Sequence, residues 1–159
     1  MMKIEVTSIQ ILRLVLGFMI SVTVAYITAS ITQSLFVLDG LKGVGADIST
    51  SVYLQTIWHD IYGLSWGGYT SYGRNILLAF AVAMPVASLV CHFMKMPKSL
   101  IFPLAGSVAM ATLLFVVKVN YFYNMDFYAG TRSYFGYLSQ LFAGALGGLT
   151  FTLITRKSS

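Results

Sequence analysis

Charge is scarce in this sequence. Only 9% of its 159 residues are Asp, Glu, Lys or Arg, against roughly 25% in an average soluble domain. So few charges cannot cover a water-soluble globule of this length, and a 57% hydrophobic content excludes a disordered chain as well. Cysteine is scarcer still. Cys91 stands alone, which rules out an intrachain disulfide and a cysteine-rich metal site and leaves a buried structural thiol as the expected reading. The chain also lacks an H-E-x-x-H pair and a phosphate loop, so nothing supports zinc-protease or phosphate-loop chemistry. The net charge of +5 does not point to nucleic acid, because the basic residues sit singly at the ends of apolar runs rather than clustered in one patch.

What the sequence has is long apolar runs, and a mean hydropathy of +0.79. A bilayer core of ~30 Å takes about 20 helical residues to cross. Four segments meet that length: 11–38, 74–93, 99–121 and 133–154. Unpaired backbone cannot sit in lipid, so the spans are expected to be helices. The expected fold is therefore all-α, a single bundle of four transmembrane helices over residues 1–159. Lys3 and Arg13 ahead of an apolar stretch, with small residues from Ala25 to Ser30, have the outline of a signal peptide. The run continues to Leu38, too long for such a segment, and an uncleaved first helix is expected.

The connections differ in kind. Met94 to Lys98 makes a tight hairpin with Pro97 as the break, and Phe122 to Arg132 a short loop. Residues 39–73 form a longer excursion, in which Leu54, Ile57, Trp58 and Ile61 share one helical face while Gln55, Thr56, His59 and Asp60 share the other. That spacing predicts a short amphipathic helix on the membrane or dipping into the bundle. Gly63, Gly67, Gly68 and Gly73 supply turns after it, and Tyr62, Trp66, Tyr69 and Tyr72 suit a membrane interface.

Charge sets the expected orientation. With the amino terminus inside, the inner segments hold Lys3, Arg13, Lys95, Lys98, Arg156 and Lys157 against Glu5. The outer ones hold Lys42, Arg74, Lys118 and Arg132 against Asp39, Asp47, Asp60 and Asp126. The positive-inside rule then places both termini and Cys91 in the cytoplasm.

Packing signals follow. Gly136, Gln140, Gly144 and Gly148 recur every four residues, with Ala143 and Gly147 alongside. Such a stripe lets helix backbones approach closely. It fits packing within the bundle, an interface with another subunit, or a ligand groove, and Gln140 is expected to hydrogen-bond to a neighbouring helix. Pro85, mid-span, deprives the Ala81 carbonyl of its partner and predicts a kink. Pro103 falls in the first turn after a Ser99 cap, where it costs little. Ser21, Thr23, Thr28, Ser30 and Thr32 are expected to bond to the preceding turn of their own helix, and Gln33 to line the bundle interior.

The candidate site is an outer polar cluster of His59, Asp60, Arg74, Lys118, Asp126 and Arg132, with Asn120 and several tyrosines nearby. Ionisable groups at such depth pair or snorkel. They can tie loops to the bundle, or form a pocket for an anion, a lipid headgroup or a proton. Asp60 with Arg74 or Arg132 is the expected pair. No cofactor or metal site is expected. Of the possible ligands, His59 lies in the outer excursion and His92 with Cys91 at the inner end, separated by about 27 Å of helix.

Several stretches carry a resemblance. They are His59-Asp60 with Gly63, the run from Ala79 to Ala87 through Pro85, Phe102-Pro103-Leu104-Ala105-Gly106, and Ala129 to Ser133 leading into Gln140 and Gly144 to Gly148. Together they cover most of residues 55 to 150, and the chain resembles small four-helix inner-membrane proteins of proteobacteria. The resemblance implies a bacterial inner-membrane location and points to no activity. It also singles out Asp60, Pro85, Arg132 and Gln140.

The functional expectation is a non-enzymatic accessory or structural subunit of a membrane assembly. Its partners would be the lipid bilayer and either other membrane subunits or copies of itself. The alternative is a protein that binds or transports a small molecule, lipid or ion through the outer cluster. An enzyme, in its least implausible form one acting on lipid at the outer interface, has the least support.

Overall fold

The computed structural model describes residues 8–45, 47–66, 71–121 and 128–155. These residues form five α-helices and one short 3-10 turn: α1 Ser8–Gly43, α2 Thr50–Trp66, α3 Tyr72–Met94, α4 Lys98–Tyr121, the turn Ala129–Arg132, and α5 Tyr134–Thr155. Stretches of α1, α3, α4 and α5 are long and apolar enough to cross a membrane: Gln10–Gly43, Tyr72–Met94, Lys98–Val119 and Tyr134–Thr155. Gly67, Gly68, Tyr69 and Asp126, and the terminal charges Lys3, Glu5, Arg156 and Lys157, lie outside the described residues.

Helix α5 is the centre of the bundle, packed against α1 on one side and α4 on the other. Both pairs are antiparallel, and their registers can be read contact by contact. Between α4 and α5, Thr152 Oγ1 donates to the Lys98 carbonyl at 3.4 Å and Ser107 Oγ to the Leu141 carbonyl at 3.0 Å. Between them, Gly148 faces the Phe102 carbonyl, and Gly106 and Gly144 face each other. A Cβ built on either of that last pair would overlap the other's carbonyl oxygen. Each therefore directs a Cα hydrogen at its partner's carbonyl, the weak-hydrogen-bond geometry of closely packed helices.

Between α1 and α5, Arg13 Nε donates to the Ile154 carbonyl at 2.7 Å and Ser21 Oγ to the Gly147 carbonyl at 2.6 Å. The bond from Ser21 crosses between helices, whereas bonding within α1 was expected. Thr23 and Thr32 do bond the preceding turn, to the Met19 and Thr28 carbonyls. Three helices converge on Gly147, which meets Ala25 and the Ser21 carbonyl of α1 and the Phe80 ring of α3. The glycine stripe of α5 is thus buried against this chain's own helices.

Helix α3 packs on α4 and buries Tyr72, Ile76, Phe80, Met84, Ala87 and Cys91 at near-constant spacing. Its opposite face is as apolar but exposed, with Val82 at 69%. The helix is continuous through Pro85, which faces outward. It ends at Lys95, whose φ of 52° is the left-handed conformation that usually stops a helix at glycine. Helix α4 then begins at Lys98 rather than after Ser99, with the Pro97 carbonyl taking its first bonds. Pro103 consequently sits in the second turn, not the first.

Helix α2 runs back alongside the end of α1. Lys42 Nζ lies 4.7 Å from the centre of the Tyr53 ring, Ser34 Oγ donates to Asp60 Oδ2 at 2.7 Å, and Tyr26 Oη donates to the Ile61 carbonyl at 2.6 Å. These links set a face different from the one expected. Tyr53, Thr56, Ile57, Asp60 and Ile61 are half-buried, while Leu54, Trp58 and Tyr62 are exposed. Asp60 takes its partner from α1, and the Tyr26 hydroxyl of α1 takes its acceptor from α2.

Candidate functional site

Polar groups gather where α1, α3, α5 and the 3-10 turn meet. Gln140 is fully buried and joins three elements. Its amide donates to the Ala29 carbonyl and to Thr32 Oγ1, each at 3.2 Å, and its carbonyl accepts from Tyr72 Oη at 2.5 Å. Buried polar groups are stable only when partnered, and Gln140 is satisfied on both ends. Tyr72 was expected at a membrane interface. It is instead fully buried, because Gln140 offers its hydroxyl an acceptor inside the bundle. The Tyr72 ring packs on Tyr128 with centroids 4.3 Å apart.

The turn that carries Tyr128 is held by glycine. Gly130 lies against the backbone of Gln33, and Gly136 against the Gly130 carbonyl. Thr131 Oγ1 donates to the Tyr128 carbonyl at 2.7 Å, and Ser133 Oγ accepts from the Gly136 amide at 3.0 Å, capping α5. Burial pushes the Tyr128 phenol up to about 12, against a hydrogen bond with Asn75 that works the other way. An unfolded tyrosine ionises near pH 10. Between about pH 10 and 12 the folded chain keeps this proton and the unfolded chain has lost it. The stabilisation is therefore complete below pH 10 and disappears as pH rises through 12. Alkaline unfolding followed by circular dichroism should show a loss of about 2–3 kcal/mol over that window, and Tyr128→Phe should remove this component.

Two buried oxygens have no hydrogen-bond partner among the described residues, Ser30 Oγ and Gln33 Oε1. They lie on α1 one turn apart, and Ser34 beside them reaches Asp60. Gln33 does line the interior, as expected.

The expected cluster divides. Asp60 meets Ser34 between α2 and α1. His59 is exposed on the other face of α2, and Arg74 is exposed in the first turn of α3. Among the described residues, Lys118 and Arg132 line one pocket. The pocket, of 350 Å³, lies where the last turns of α4 meet the start of α5, and Leu114, Phe115, Tyr128, Tyr134 and Tyr137 also line it. Sequence reading missed Tyr128 and Asn75.

A second cavity of 720 Å³ lies between α3 and α4. It is lined by Ala79, Ala83 and Ala87 on one wall and Ala105 and Ala109 on the other, with Asn75 and Thr112 as its polar members. It extends from Ile101 to Val117 along α4, about 24 Å of helix. Among the described residues no group of three or more His, Cys, Asp or Glu converges as a metal site would require. Comparisons with protein-family models, with characterised proteins and with solved structures found no match to this chain.

Proposed function

We propose that this protein is a multi-pass membrane protein that serves as a non-enzymatic accessory subunit, receiving a partner's transmembrane helix in the cleft between α3 and α4. The polarity of the fold supports a bilayer as its solvent. Ser21, Ser34 and Gln140 are fully buried, while Leu104, Val108 and Phe142 are at least 60% exposed. Water would reverse that distribution. The charge asymmetry of the sequence supports cytoplasmic termini, and the resemblance implies a bacterial inner membrane.

The cleft carries the reading. The α4–α5 seam is closed by backbone contact at glycine, whereas α3 and α4 leave an alanine-walled cleft. A lipid tail covers one leaflet, or about half of a ~30 Å core. The cleft runs nearly the full thickness, as a helix does, and small residues on both walls allow close backbone approach.

Gentle extraction from native membranes, followed by size analysis and mass spectrometry, tests this. The expected result is a defined larger complex that is lost in Ala83→Leu and Ala105→Leu, with circular dichroism unchanged. A wild-type chain that migrates alone, or a complex indifferent to both substitutions, overturns the proposal.

A further inference from the structure

The polar side chains that gather where α2 lies on α1 offer oxygen alone. We infer that they form a binding site for a single alkali-metal cation, with the Asp60 carboxylate as its charged ligand and the side-chain oxygens of Ser30, Gln33 and Ser34 as its neutral ones. The site lies between α1 and α2, so it does not depend on a partner helix in the α3–α4 cleft.

Two cross-links place Ser30. Tyr26 and Ser34 lie one turn before it and one turn after it on α1, and both reach the same turn of α2. Tyr26 Oη donates to the Ile61 carbonyl at 2.6 Å, and Ser34 Oγ lies 2.7 Å from Asp60 Oδ2. Ser30 stands between them on that face, directed at the Asp60–Ile61 turn, and is fully buried. Gln33 and Ser34 are its neighbours three and four residues on, at about 5–6 Å between Cβ atoms. Ser30 Oγ and Gln33 Oε1 are the two buried oxygens with no hydrogen-bond partner among the described residues. Buried oxygens are rarely left so, and one hard cation takes lone pairs from several oxygens at once. Asp60 is half-buried, so the charged ligand stands at the mouth and the neutral ones behind it.

Hydrogens and charges are both one short at this place. Ser34 Oγ lies 3.0 Å from the Ser30 carbonyl as well as 2.7 Å from Asp60 Oδ2, and a serine hydroxyl has one hydrogen to give. When it bonds the Ser30 carbonyl, as Thr23 and Thr150 bond the preceding turns of their own helices, two lone-pair oxygens face each other at 2.7 Å. A cation held by both resolves that contact. The basic residues of this end of the bundle are placed elsewhere. Lys42 lies over the Tyr53 ring, Lys118 and Arg132 line the pocket of α4 and α5, and Arg74 is exposed on α3. The nearby segments outside the described residues, 67–70 and 122–127, contain no Lys or Arg. One carboxylate with one monovalent cation makes a neutral site, the form a low-dielectric bundle favours. Calcium sites draw on several carboxylates, and among the described residues no group of three or more acidic, His or Cys side chains exists to build one. A proton would share the carboxylate but has no use for the oxygens of Ser30 and Gln33.

The test uses the full chain purified in a neutral detergent at constant pH, with choline chloride replaced stepwise by sodium chloride so that ionic strength does not change. Thermal unfolding is read by circular dichroism, and binding by radioactive sodium. The expected result is a midpoint that rises with sodium and saturates, with one sodium bound per chain. Asp60→Asn should lose both responses. Ser30→Ala should weaken the apparent affinity about tenfold, the loss of one ligand, whereas replacing a serine that is merely unsatisfied would leave binding unchanged. Asp39→Asn, at an exposed carboxylate on the opposite face of α1, should behave as wild type. Potassium chloride is the second probe. Saturable stabilisation by potassium in place of sodium leaves the site standing and assigns it the larger ion. If Asp60→Asn does not fold, Ser30→Ala carries the test, since alanine is the residue best suited to a helix interior. The proposal is overturned if the wild type unfolds alike in sodium, potassium and choline, or if folded Asp60→Asn or Ser30→Ala binds the ion as the wild type does.

Discussion

Gly144→Ala should destabilise the bundle by about 3 kcal/mol or more, at or beyond the upper end of what overpacking in a core usually costs. The added Cβ would overlap the Gly106 carbonyl oxygen and approach Met110 Cγ to 2.6 Å. Met110 can turn aside, but a helix carbonyl cannot, so α4 and α5 must separate. Separation also lengthens the Ser107 and Thr152 bonds across the same seam. Gly106→Ala should cost a similar amount, because its Cβ meets the Gly144 carbonyl. The double variant should cost less than the two single ones together, since one displacement relieves both clashes. Gly40→Ala provides the opposite sign. Nothing lies within 4 Å of a Cβ there, and alanine is favoured over glycine inside a helix by up to about 1 kcal/mol. Unfolding in detergent by circular dichroism reads all four. A neutral Gly144→Ala would show that the α4–α5 seam is not closed by backbone contact.

Gln140→Leu should cost about 2–4 kcal/mol, although leucine is close in volume and suits an apolar core. Hydrogen bonds between helices in a membrane average about 0.6 kcal/mol each and reach about 1.7, so the three bonds of Gln140 account for part of this. The remainder comes from the Tyr72 hydroxyl, which is fully buried and would lose its acceptor at a cost of about 1–3 kcal/mol. That division is testable. Tyr72→Phe in the Gln140→Leu background removes the stranded donor and should restore about 1–2 kcal/mol. Both variants are read by the same unfolding measurement. Additive losses instead of partial rescue would mean that the two side chains do not form one unit.

These two sites differ in how openly the sequence displays them. The repeat of Gly136, Gln140, Gly144 and Gly148 is visible because small residues at four-residue spacing have few uses besides close approach. Its partners are not visible. Gly106 opposite Gly144, and Phe102 opposite Gly148, follow from the α4–α5 register, which no local pattern encodes. Gln140 is conspicuous as an amide in an apolar run, yet its acceptor role toward Tyr72 depends on how α3 meets α5. The outer cluster shows the same limit. Asp60, Lys118 and Arg132 are all conspicuous by charge, but only the fold joins Lys118 with Arg132 and gives Asp60 to Ser34.

By itself, the sequence determined that the chain is all-helical, where its four long apolar helices lie, and that α3 turns into α4 across a few residues at Pro97. Those features depend on local length, composition and backbone restriction, which a chain carries with it. Tertiary structure alone decided which faces are inside. In a chain this apolar the exposed face of α3 is as hydrophobic as the buried one, so periodicity does not distinguish them. Burial is decided instead by contacts between residues far apart in sequence: glycine against carbonyl, amide against phenol, and Asp60 against Ser34. The Asp60–Ser34 and Tyr26–Ile61 contacts likewise set Asp60 of α2 against α1 and leave Leu54 and Trp58 exposed.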